Sequence, residues 1–432
     1  MKDKKLPTSR LGRFARLAAL GTRAGAGKLA SMLGDPEAER SLAEAAADSL
    51  GSMRGLALKV GQMVSYVDGL VPEEHRDLYE QSMKRLRAAA PTMTVEAAAK
   101  VVEEELGAPP DELFASWQAE PFASASIGQV HRAVTRDGAD VAVKVQFEGI
   151  ASAVEADLAN ASLSGKLLGP LGARLGVREQ LAEIRARFLE ELDYRHEAAR
   201  QMQFREVFQD DPRIRIPAVF DELSSRRVLT SDLATGVDFE TACAADEEQR
   251  RRWAETLWRF VFSSLLRKGL FNADPHPGNY LFEPGGVVTF LDFGCTRVLS
   301  RDHLRSVRTA HRHACLGNVD GLCDVALTMF EMPQQGPAAD VSRAFVRDCF
   351  LPIHHQGPYR LTRGYAAKLL QDLQENAKLA LRGKLGKLEP LPAEWVFFNR
   401  LQFGFYSVLA RLDVATDYNA IERELTSSPP RP

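Results

Sequence analysis

Two short segments near the middle of the chain constrain its fold more than any other feature of the sequence. The first, "GLFNADPHPGNYLF" from Gly269 to Phe282, holds Asp274 and Asn279 five residues apart on a loop that two prolines make stiff. The second, "VVTFLDFG", is an apolar strand pattern that ends in Asp292 and a glycine, and Asp292 follows Asp274 by 18 residues. The two Asp side chains and the Asn are therefore expected to place oxygen atoms around one point.

These three side chains suit a metal site of a particular kind. Mg²⁺ prefers hard oxygen ligands, and one or two carboxylates commonly hold it together with phosphate oxygens. We therefore expect Asn279 and Asp292 to hold Mg²⁺. Asp274 would then orient an attacking hydroxyl or water, or accept its proton.

The period of the apolar residues divides the chain into a helical first part, a sheet and a mostly helical remainder. Apolar spacings of three and four residues predict an all-helical region of about 115 residues, with one helix from Met93 to about Leu106. In "DVAVKVQF" the apolar residues alternate instead, which is the period of a half-buried strand. Asp137-Gly138 is a hairpin signal between this strand and "IGQVHRAVT". The sheet is therefore expected to begin near Pro121.

Lys144 lies in the middle of the alternating strand, where a charge is costly unless it is paired. An ATP phosphate and an acid from a nearby helix would satisfy it. The run "FLEELDYRHEAAR" is expected to carry Glu190, Glu191, Asp193 and Glu197 on one helix after the sheet. The chain has the order of motifs of a protein-kinase-like fold: a strand Lys, then a helix acid, then D-x-x-x-x-N, then DFG. The expected fold class is accordingly α+β.

Four motifs resemble one family of atypical kinases, the UbiB family, also called the ABC1 or AarF family. "LKVGQMVS" is similar to its KxGQ motif and "PFASASIGQVH" to its Ala-rich loop. "ELD" matches its ExD motif and "DPHPGN" its catalytic loop. The resemblance covers roughly residues 45–412, and three of the four motifs lie outside the order shared with all kinases.

The resemblance implies a bilobal fold with a helical N-terminal extension, a small β-containing N-lobe and a helical C-lobe. The implied ranges are a basic segment 1–34, an extension 35–118 with the KxGQ motif, an N-lobe 119–233 and a C-lobe 234–432. It also implies that the protein binds ATP with Mg²⁺.

Roles for individual residues follow from the same resemblance. Glu197 would pair with Lys144, and Asp274 would be the catalytic residue of the DPHPGN loop. Lys59 of the KxGQ helix would pair with Glu191, which would occlude the place of a peptide substrate. Four further groups of residues are implied in nucleotide binding or regulation: the Ala-rich loop Ala123, Ser124, Ala125 and Ser126, the hinge residues Asp232 and Leu233, Gln62 of KxGQ, and Asp193 of ExD.

Three features of the sequence depart from the usual kinase or family pattern. The Ala-rich loop replaces glycines that would let backbone N–H groups approach phosphates, so altered nucleotide affinity and suppressed protein-kinase activity are expected. Asn272 stands where the family often has His, and it is expected to loosen the catalytic loop. Ser231 and Asp232 replace a more usual Met-Glu at the hinge, and the small Ser is expected to open a pocket behind the adenine.

Composition limits the partners and the compartment. A net charge of −3 gives no reason to expect nucleic acid as the main partner. Five cysteines without metal or disulfide spacing suit a reducing compartment, so a cytoplasmic protein is expected. No run is apolar enough to span a bilayer, and "WVFFNRLQFGFYSVLARL" is expected to be a packed helix. Protein partners are not indicated.

The first 30 residues carry eight basic side chains and one acid, with apolar residues at roughly helical spacing. Such a segment can lie on an anionic membrane surface, which makes lipid a candidate partner, or it can be a solvated terminus. "GTRAGAGKLA" in the same segment contains G-x-G-x-x-A, but no strand precedes it. We therefore do not expect it to bind nucleotide.

Three functions remain open on the sequence. The first is an ATP-dependent phosphotransferase or ATPase of this family, acting in isoprenoid-quinone or other lipid metabolism at a membrane surface. The second is a small-molecule kinase of the aminoglycoside or choline type, which would lack KxGQ and the Ala-rich loop. The third is a pseudokinase that binds nucleotide and regulates partners without turnover; the intact Lys144, Asp274, Asn279 and Asp292 argue against it.

Overall fold

The computed structural model describes residues 93–125, 127–152, 190, 192–381, 383 and 393–427. The predictions on Lys59, Gln62, Ser126 and Glu191, on the basic segment and on the first helices lie outside these residues. The described chain forms two compact units, one with residues up to 198 and 219–233, the other with 199–218 and 234–427. The predicted boundaries after residues 34, 118 and 233 stay predictions.

The first unit is built on an antiparallel sheet. The spatial order of its strands is β1-β3-β4-β6, and β2 pairs with Gln129 and Val130 near the start of β3. The strands are β1 Phe114–Trp117, β2 Ala123–Ser124, β3 Gly128–Thr135, β4 Asp140–Gln146 and β6 Val228–Asp232, and the helices before the sheet are α1 Val95–Leu106 and α2 Pro110–Leu113. Helix α3, Tyr194–Phe208, contributes its first turn to this unit.

The alternation of apolar and other side chains along β4 determines which face of this sheet is buried. Val141, Val143 and Val145 are fully buried in a cluster that includes Val101 and Val102 of α1. The intervening Lys144 lies on the opposite face, because side chains alternate along a strand. The hairpin between β3 and β4 turns at Gly138, whose φ of 92° favours glycine. The strand and hairpin predictions are confirmed.

Two predicted boundaries in this unit are wrong. The sheet begins at Phe114 rather than near Pro121, because β1 pairs with the far end of β3. The acidic run does not form one continuous helix: Leu192 lies in a turn, Asp193 is outside any helix, and α3 begins at Tyr194. The predicted helix at Met93 is confirmed as α1, which Thr94 caps through its side-chain oxygen.

The second unit is mainly helical. Its helices are α4 Phe239–Cys243, α5 Glu247–Lys268, α6 Arg301–Cys315, α7 Val319–Met329, α8 Pro337–Cys349, α9 Leu351–His354, α10 Arg363–Leu381, α11 Ala393–Leu412 and α12 Tyr418–Ser427. Short strands complete it: β5 Ile214–Arg215, β7 Leu270–Asn272, β8 Tyr280–Glu283, β9 Val287–Phe290, β10 Thr296–Val298, β11 Tyr359–Arg360 and β12 Ala415–Thr416. Strand β7 pairs with β10, and β8 pairs with β9.

One large apolar core joins the elements of the second unit. Helix α5 lies in it with Trp258, Leu257 and Leu266 fully buried. Leu401 and most of the residues after it in α11 are buried in the same core, so the packed helix predicted there is confirmed. Within the described residues no helix has the length and apolar character needed to cross a membrane.

All five cysteines are free thiols, and four of them are buried. Burial raises the pKa of the Cys315 thiol to about 12. A thiol with so high a pKa is neutral at pH 7 and therefore a poor nucleophile. The cysteines thus serve as small apolar side chains in the core.

Candidate active site

The candidate residues form two groups, one in each unit. In the first unit Lys144 of β4 points at Glu197 in the first turn of α3. Its Nζ lies 2.8 Å from Oε1 and 2.9 Å from Oε2 of Glu197. The Lys144 side chain is 16% exposed and that of Glu197 is 5% exposed. The pairing implied by the resemblance is therefore present, and each charge compensates the other in a largely dry environment.

Two residues around this ion pair escaped the sequence reasoning. The Tyr194 ring lies under Lys144, with Nζ 4.9 Å from the ring centroid, which adds a cation–π contact. Gly128, at the start of β3, leaves no space for a side chain: an added Cβ would lie 2.4 Å from the Val145 carbonyl oxygen and 2.9 Å from the Tyr194 hydroxyl. The glycine of "IGQ" could have indicated such a close approach.

The Ala-rich loop lies at the tip of the hairpin formed by β2 and β3. Ala123 and Ser124 are exposed on β2, opposite Val130 and Gln129. The Ala125 N–H donates to the Gly128 carbonyl oxygen at 2.8 Å and closes the turn. The loop therefore has a defined backbone conformation that does not depend on glycine at residues 123–125.

The predicted hinge residues end the sheet. Asp232 is the last residue of β6 and pairs with Val141, and the Leu233 N–H donates to the Asp140 carbonyl oxygen at 3.0 Å. Asp232, Leu233 and the preceding Ser231 are all partly exposed. The pocket expected behind the adenine stays a prediction.

Asp193 of the ExD motif makes a local interaction. Its carboxylate accepts hydrogen bonds from the Arg195 side chain at 2.6 and 2.9 Å and from the Arg195 N–H at 3.1 Å. The hydrogen bonds from the Arg195 side chain, and to a smaller extent the one from its N–H, hold the pKa of the Asp193 carboxyl below its usual range. The regulatory role implied for Asp193 stays a prediction.

In the second unit the loop with the DPHPGN motif, the candidate catalytic loop, leaves β7 and returns through a short 3₁₀ turn, Pro277–Asn279, into β8. Several main-chain hydrogen bonds fix this path. The Asp274 carbonyl oxygen accepts from the His276 N–H at 2.8 Å, and the His276 carbonyl oxygen accepts from the Asn279 N–H at 2.9 Å. The Asn279 carbonyl oxygen in turn accepts from the Leu291 N–H, next to Asp292. The loop and the LDFG segment are thus joined directly.

Asn272 supports both segments with its side-chain amide. Its Oδ1 accepts from the Asp274 N–H at 3.0 Å, and its Nδ2 donates to the Asp292 carbonyl oxygen at 2.6 Å. The expectation that Asn272 loosens the loop is therefore wrong, because the amide supplies one donor and one acceptor at the required places. The sequence showed the change of residue type but not these two partners.

The amide of Asn279 is oriented by its own hydrogen bond. Its Nδ2 donates to the Asp274 carbonyl oxygen at 3.2 Å, which assigns nitrogen and oxygen and leaves Oδ1 as the ligand atom. Asp292 uses Oδ1 to accept from the Gly294 N–H at 3.0 Å. One carboxylate and one amide oxygen fit Mg²⁺, which keeps water or phosphate oxygens in its remaining positions. Asn279 and Asp292 would hold such an ion and neutralise phosphate charge there.

Packing fixes the side chains that flank these acids. Phe293 of LDFG is fully buried, with its ring centroid 5.1 Å from that of Phe204. Gly404 of α11 lies against the catalytic loop, and a Cβ added there would lie 2.7 Å from Cγ of Pro275. Burial and the charge of Asp274 raise the pKa of the Tyr280 hydroxyl, so it is neutral at pH 7. Neither Gly404 nor Phe204 was identified from the sequence.

The sheet with a Lys–Glu pair and the helical unit with an Asp–Asn loop followed by DFG define a kinase-like protein. Residues 85–325 match the model of the ABC1 atypical kinase-like domain, which covers more than half of the chain. The chain therefore belongs to the ABC1 family of atypical kinases, and the predicted family and kinase-like α+β fold are confirmed.

Known proteins of this kind are similar over most of the chain. The mitochondrial atypical kinase COQ8B of Rattus norvegicus is 30% identical over 431 residues, which cover 95% of this chain and 79% of that protein. The mitochondrial atypical kinase COQ8 of Saccharomyces cerevisiae is 26% identical over 449 residues, covering 98% and 86%. The solved complex of Rv3197 with erythromycin from Mycobacterium tuberculosis superposes with a TM-score of 0.61 at 27% identity, covering 93% and 99%.

Proposed function

We propose that the protein binds ATP with Mg²⁺ and uses it for phosphoryl transfer or for hydrolysis. The Lys144–Glu197 ion pair carries this proposal, because a lysine held by a helix acid is the group that kinases direct at nucleotide phosphates. The relatives named atypical kinases agree with it.

In the proposed reaction each polar residue of the second unit has one task. Asp274 would orient the attacking hydroxyl or water and accept its proton as the oxygen forms a bond to the γ-phosphorus. The bond between that phosphorus and the β–γ bridging oxygen would break at the same time, and ADP would be the leaving group. Asn272 holds Asp274 in place through the Asp274 N–H. Asn279 and Asp292 hold Mg²⁺, whose charge offsets that of the phosphates. The intact set of residues favours turnover over a pseudokinase.

The proposed setting is the metabolism of isoprenoid quinones or other lipids at a membrane surface, from the cytoplasmic side. The eight basic residues among the first 30 support attraction to anionic lipid, worth about 1 kcal/mol for each residue near the surface. The nucleotide-binding roles of Ala123 to Ser126, Asp232 and Leu233, and the regulatory roles of Lys59, Gln62, Glu191 and Asp193, belong to this proposal.

Release of phosphate from MgATP tests the proposal. The full chain is assayed with and without liposomes of anionic lipid, beside Asp274→Asn and the control Asp302→Asn. Loss of a general base costs about 10²- to 10⁴-fold in rate, so Asp274→Asn should lower kcat by that order while nucleotide affinity changes little. Asp302 is 81% exposed on α6, and its variant should match the wild type.

The outcomes separate the candidate functions. Equal rates for Asp274→Asn and wild type would contradict the proposed mechanism. Nucleotide binding without turnover, with or without liposomes, would favour the pseudokinase. Turnover that appears only with a soluble hydroxyl compound would favour the small-molecule kinase.

A further inference from the structure

The helical unit contains an apolar cavity away from the catalytic loop. It has a volume of about 80 Å³ and lies among α5, α6, α7, α11 and the segment from Phe350 to Ile353. One water needs roughly 10–15 Å³ and two to four polar partners. The cavity is thus several times larger than a water site, and all but three of its lining side chains are apolar. A cavity of this character is suited to an apolar molecule rather than to water.

The three polar side chains of the wall are His311, Gln402 and Tyr406. Gln402 Nε2 and the Tyr406 hydroxyl both donate to the Cys349 carbonyl oxygen, at 3.0 and 2.9 Å. These two side chains are therefore anchored to the protein itself. His311 is different, because among the residues that the structure describes it has a hydrogen bond at Nδ1 but none at Nε2.

His311 is 3% exposed, and its Nδ1 lies 3.1 Å from Oε2 of Glu422. Oε1 of the same carboxylate accepts from Trp258 Nε1 at 3.0 Å. A carboxylate oxygen accepts a hydrogen bond and a ring N–H donates it, so this bond uses an N–H at Nδ1 of His311. Within the described part of the chain, Nε2 of His311 has no hydrogen-bond partner. His311 lines the cavity, and its Nε2 therefore offers an open hydrogen-bonding position there.

We propose that this cavity binds a compact apolar alcohol whose hydroxyl group meets Nε2 of His311. The hydroxyl donates to Nε2 when the ring is neutral and accepts from it when the ring is charged, so an alcohol fits either state. The hydrocarbon part fills the apolar wall, which supplies most of the affinity.

The cavity also has a route to the catalytic loop. Phe398 of α11 lines the cavity, and its ring centroid lies 4.7 Å from that of Phe271 in β7, next to Asn272. The same helix contacts Pro275 through Gly404. An occupant that shifts α11 would move the segment that holds Asp274. This regulatory consequence rests on the proposed function, whereas the binding itself does not.

Binding is tested on the full chain by calorimetric titration with cyclohexanol and with methylcyclohexane. Ala326→Leu puts three carbons into the cavity and should abolish binding of both compounds, since Ala326 lines it. Ala420→Leu, at an exposed position of α12, should bind like the wild type. Absence of saturable binding in the wild type, or equal binding by Ala326→Leu, would overturn the proposal.

The role of His311 is tested by the ring nitrogen NMR signals. Cyclohexanol should shift the Nε2 resonance, and methylcyclohexane should not. In His311→Gln the dissociation constant of cyclohexanol, divided by that of methylcyclohexane, should rise by about three- to tenfold. A change of this size corresponds to the loss of one hydrogen bond. An unmoved Nε2 signal with bound cyclohexanol would overturn the assignment of the hydroxyl, even if the variant failed to fold.

Regulation is read from MgATP turnover. Saturating cyclohexanol should change kcat or KM at least about twofold in wild type and leave Ala326→Leu unchanged. Binding without any effect on turnover would overturn the coupling. If the protein bound cyclohexanol but not MgATP, the proposed function would be contradicted, whereas the proposed binding site in the cavity would still be supported.

Discussion

The two groups of candidate residues are held in place by different kinds of interaction. Lys144 forms an ion pair with a helix acid, Glu197, and its Nζ lies over the Tyr194 ring. Main-chain hydrogen bonds and the side-chain amide of Asn272 position the second group, Asp274, Asn279 and Asp292. The residues that form these bonds lie within two short segments of the chain. The acid loop is thus fixed by many local bonds, whereas the lysine depends on the placement of α3.

The difference indicates where each group is vulnerable. Removal of one charge from the lysine group breaks the ion pair, while the other charge stays in a largely buried place. Removal of one side chain from the acid loop leaves most of its hydrogen bonds intact. Variants of Lys144, Asn272 and His131 should show this contrast, with effects that become smaller in that order.

Lys144→Met should lower the free energy of unfolding by about 3–5 kcal/mol, because the carboxylate of Glu197 is 5% exposed and would lose this ion pair. The double variant with Glu197→Gln should recover part of this loss, since it removes that charge. Urea denaturation measures both. Arg305→Met is the control, because Arg305 and its partner Asp302 are about four-fifths exposed and the change should be small. A small decrease in the free energy of unfolding of Lys144→Met would show that this ion pair contributes little to the stability of the fold.

Asn272→Ala should lower the free energy of unfolding by about 1–3 kcal/mol, because two hydrogen bonds are lost in a partly buried place. It should also lower kcat for MgATP turnover by roughly 10²-fold if Asp274 moves by about 1 Å.

The control for Asn272→Ala is Asn318→Ala, which removes the side-chain cap of α7. This variant should cost about 1 kcal/mol of stability and leave kcat unchanged. An unchanged kcat in Asn272→Ala as well would remove Asn272 from the support of Asp274.

The smallest predicted effect concerns His131 on β3, opposite Val143. Its Nε2 accepts from Gln129 Nε2 at 3.0 Å, its Nδ1 donates to the Gln118 carbonyl oxygen at 3.1 Å, and burial lowers its pKa. The unfolded chain therefore takes up the proton first as the pH falls below about 6.5. The free energy of unfolding should fall with pH there, by at most about 1.4 kcal/mol per pH unit from this residue.

His131→Gln removes this titration while keeping a group that can donate and accept. Its unfolding free energy should depend less steeply on pH between about 6.5 and the lowered pKa of the folded protein. Urea denaturation of both proteins over this range gives the difference, in which the other titrating groups cancel. Parallel pH profiles would mean that His131 binds protons equally in both states.

Local patterns predicted some of these features and missed others for physical reasons. Alternation in β4 and the Asp137-Gly138 turn are local signals, and both were predicted. Strand β1 was missed because a four-residue strand is defined by its pairing with β3, not by its own period. The helix predicted through Asp193 was wrong because the Asp193 carboxylate bonds the Arg195 N–H and precedes the helix. Such competition between side chain and backbone is hard to read from composition.

The site shows the same division between local motifs and distant contacts. The motifs located Lys144, Glu197, Asp274, Asn279 and Asp292 in the sequence. The support from Gly404 comes from a helix more than 100 residues away in the chain, and no local pattern points to it. The cavity beside His311 was likewise invisible, because its wall comes from five separate segments.

The central claim, a site for nucleotide with Mg²⁺, is tested most directly by thermal unfolding with MgADP in the wild type and in Asp292→Asn. A ligand at 100 times its dissociation constant adds about 2.7 kcal/mol to the free energy of unfolding. We expect a rise in Tm for the wild type that requires Mg²⁺ and is lost in Asp292→Asn. No rise in the wild type, or an equal rise in the variant, would contradict it.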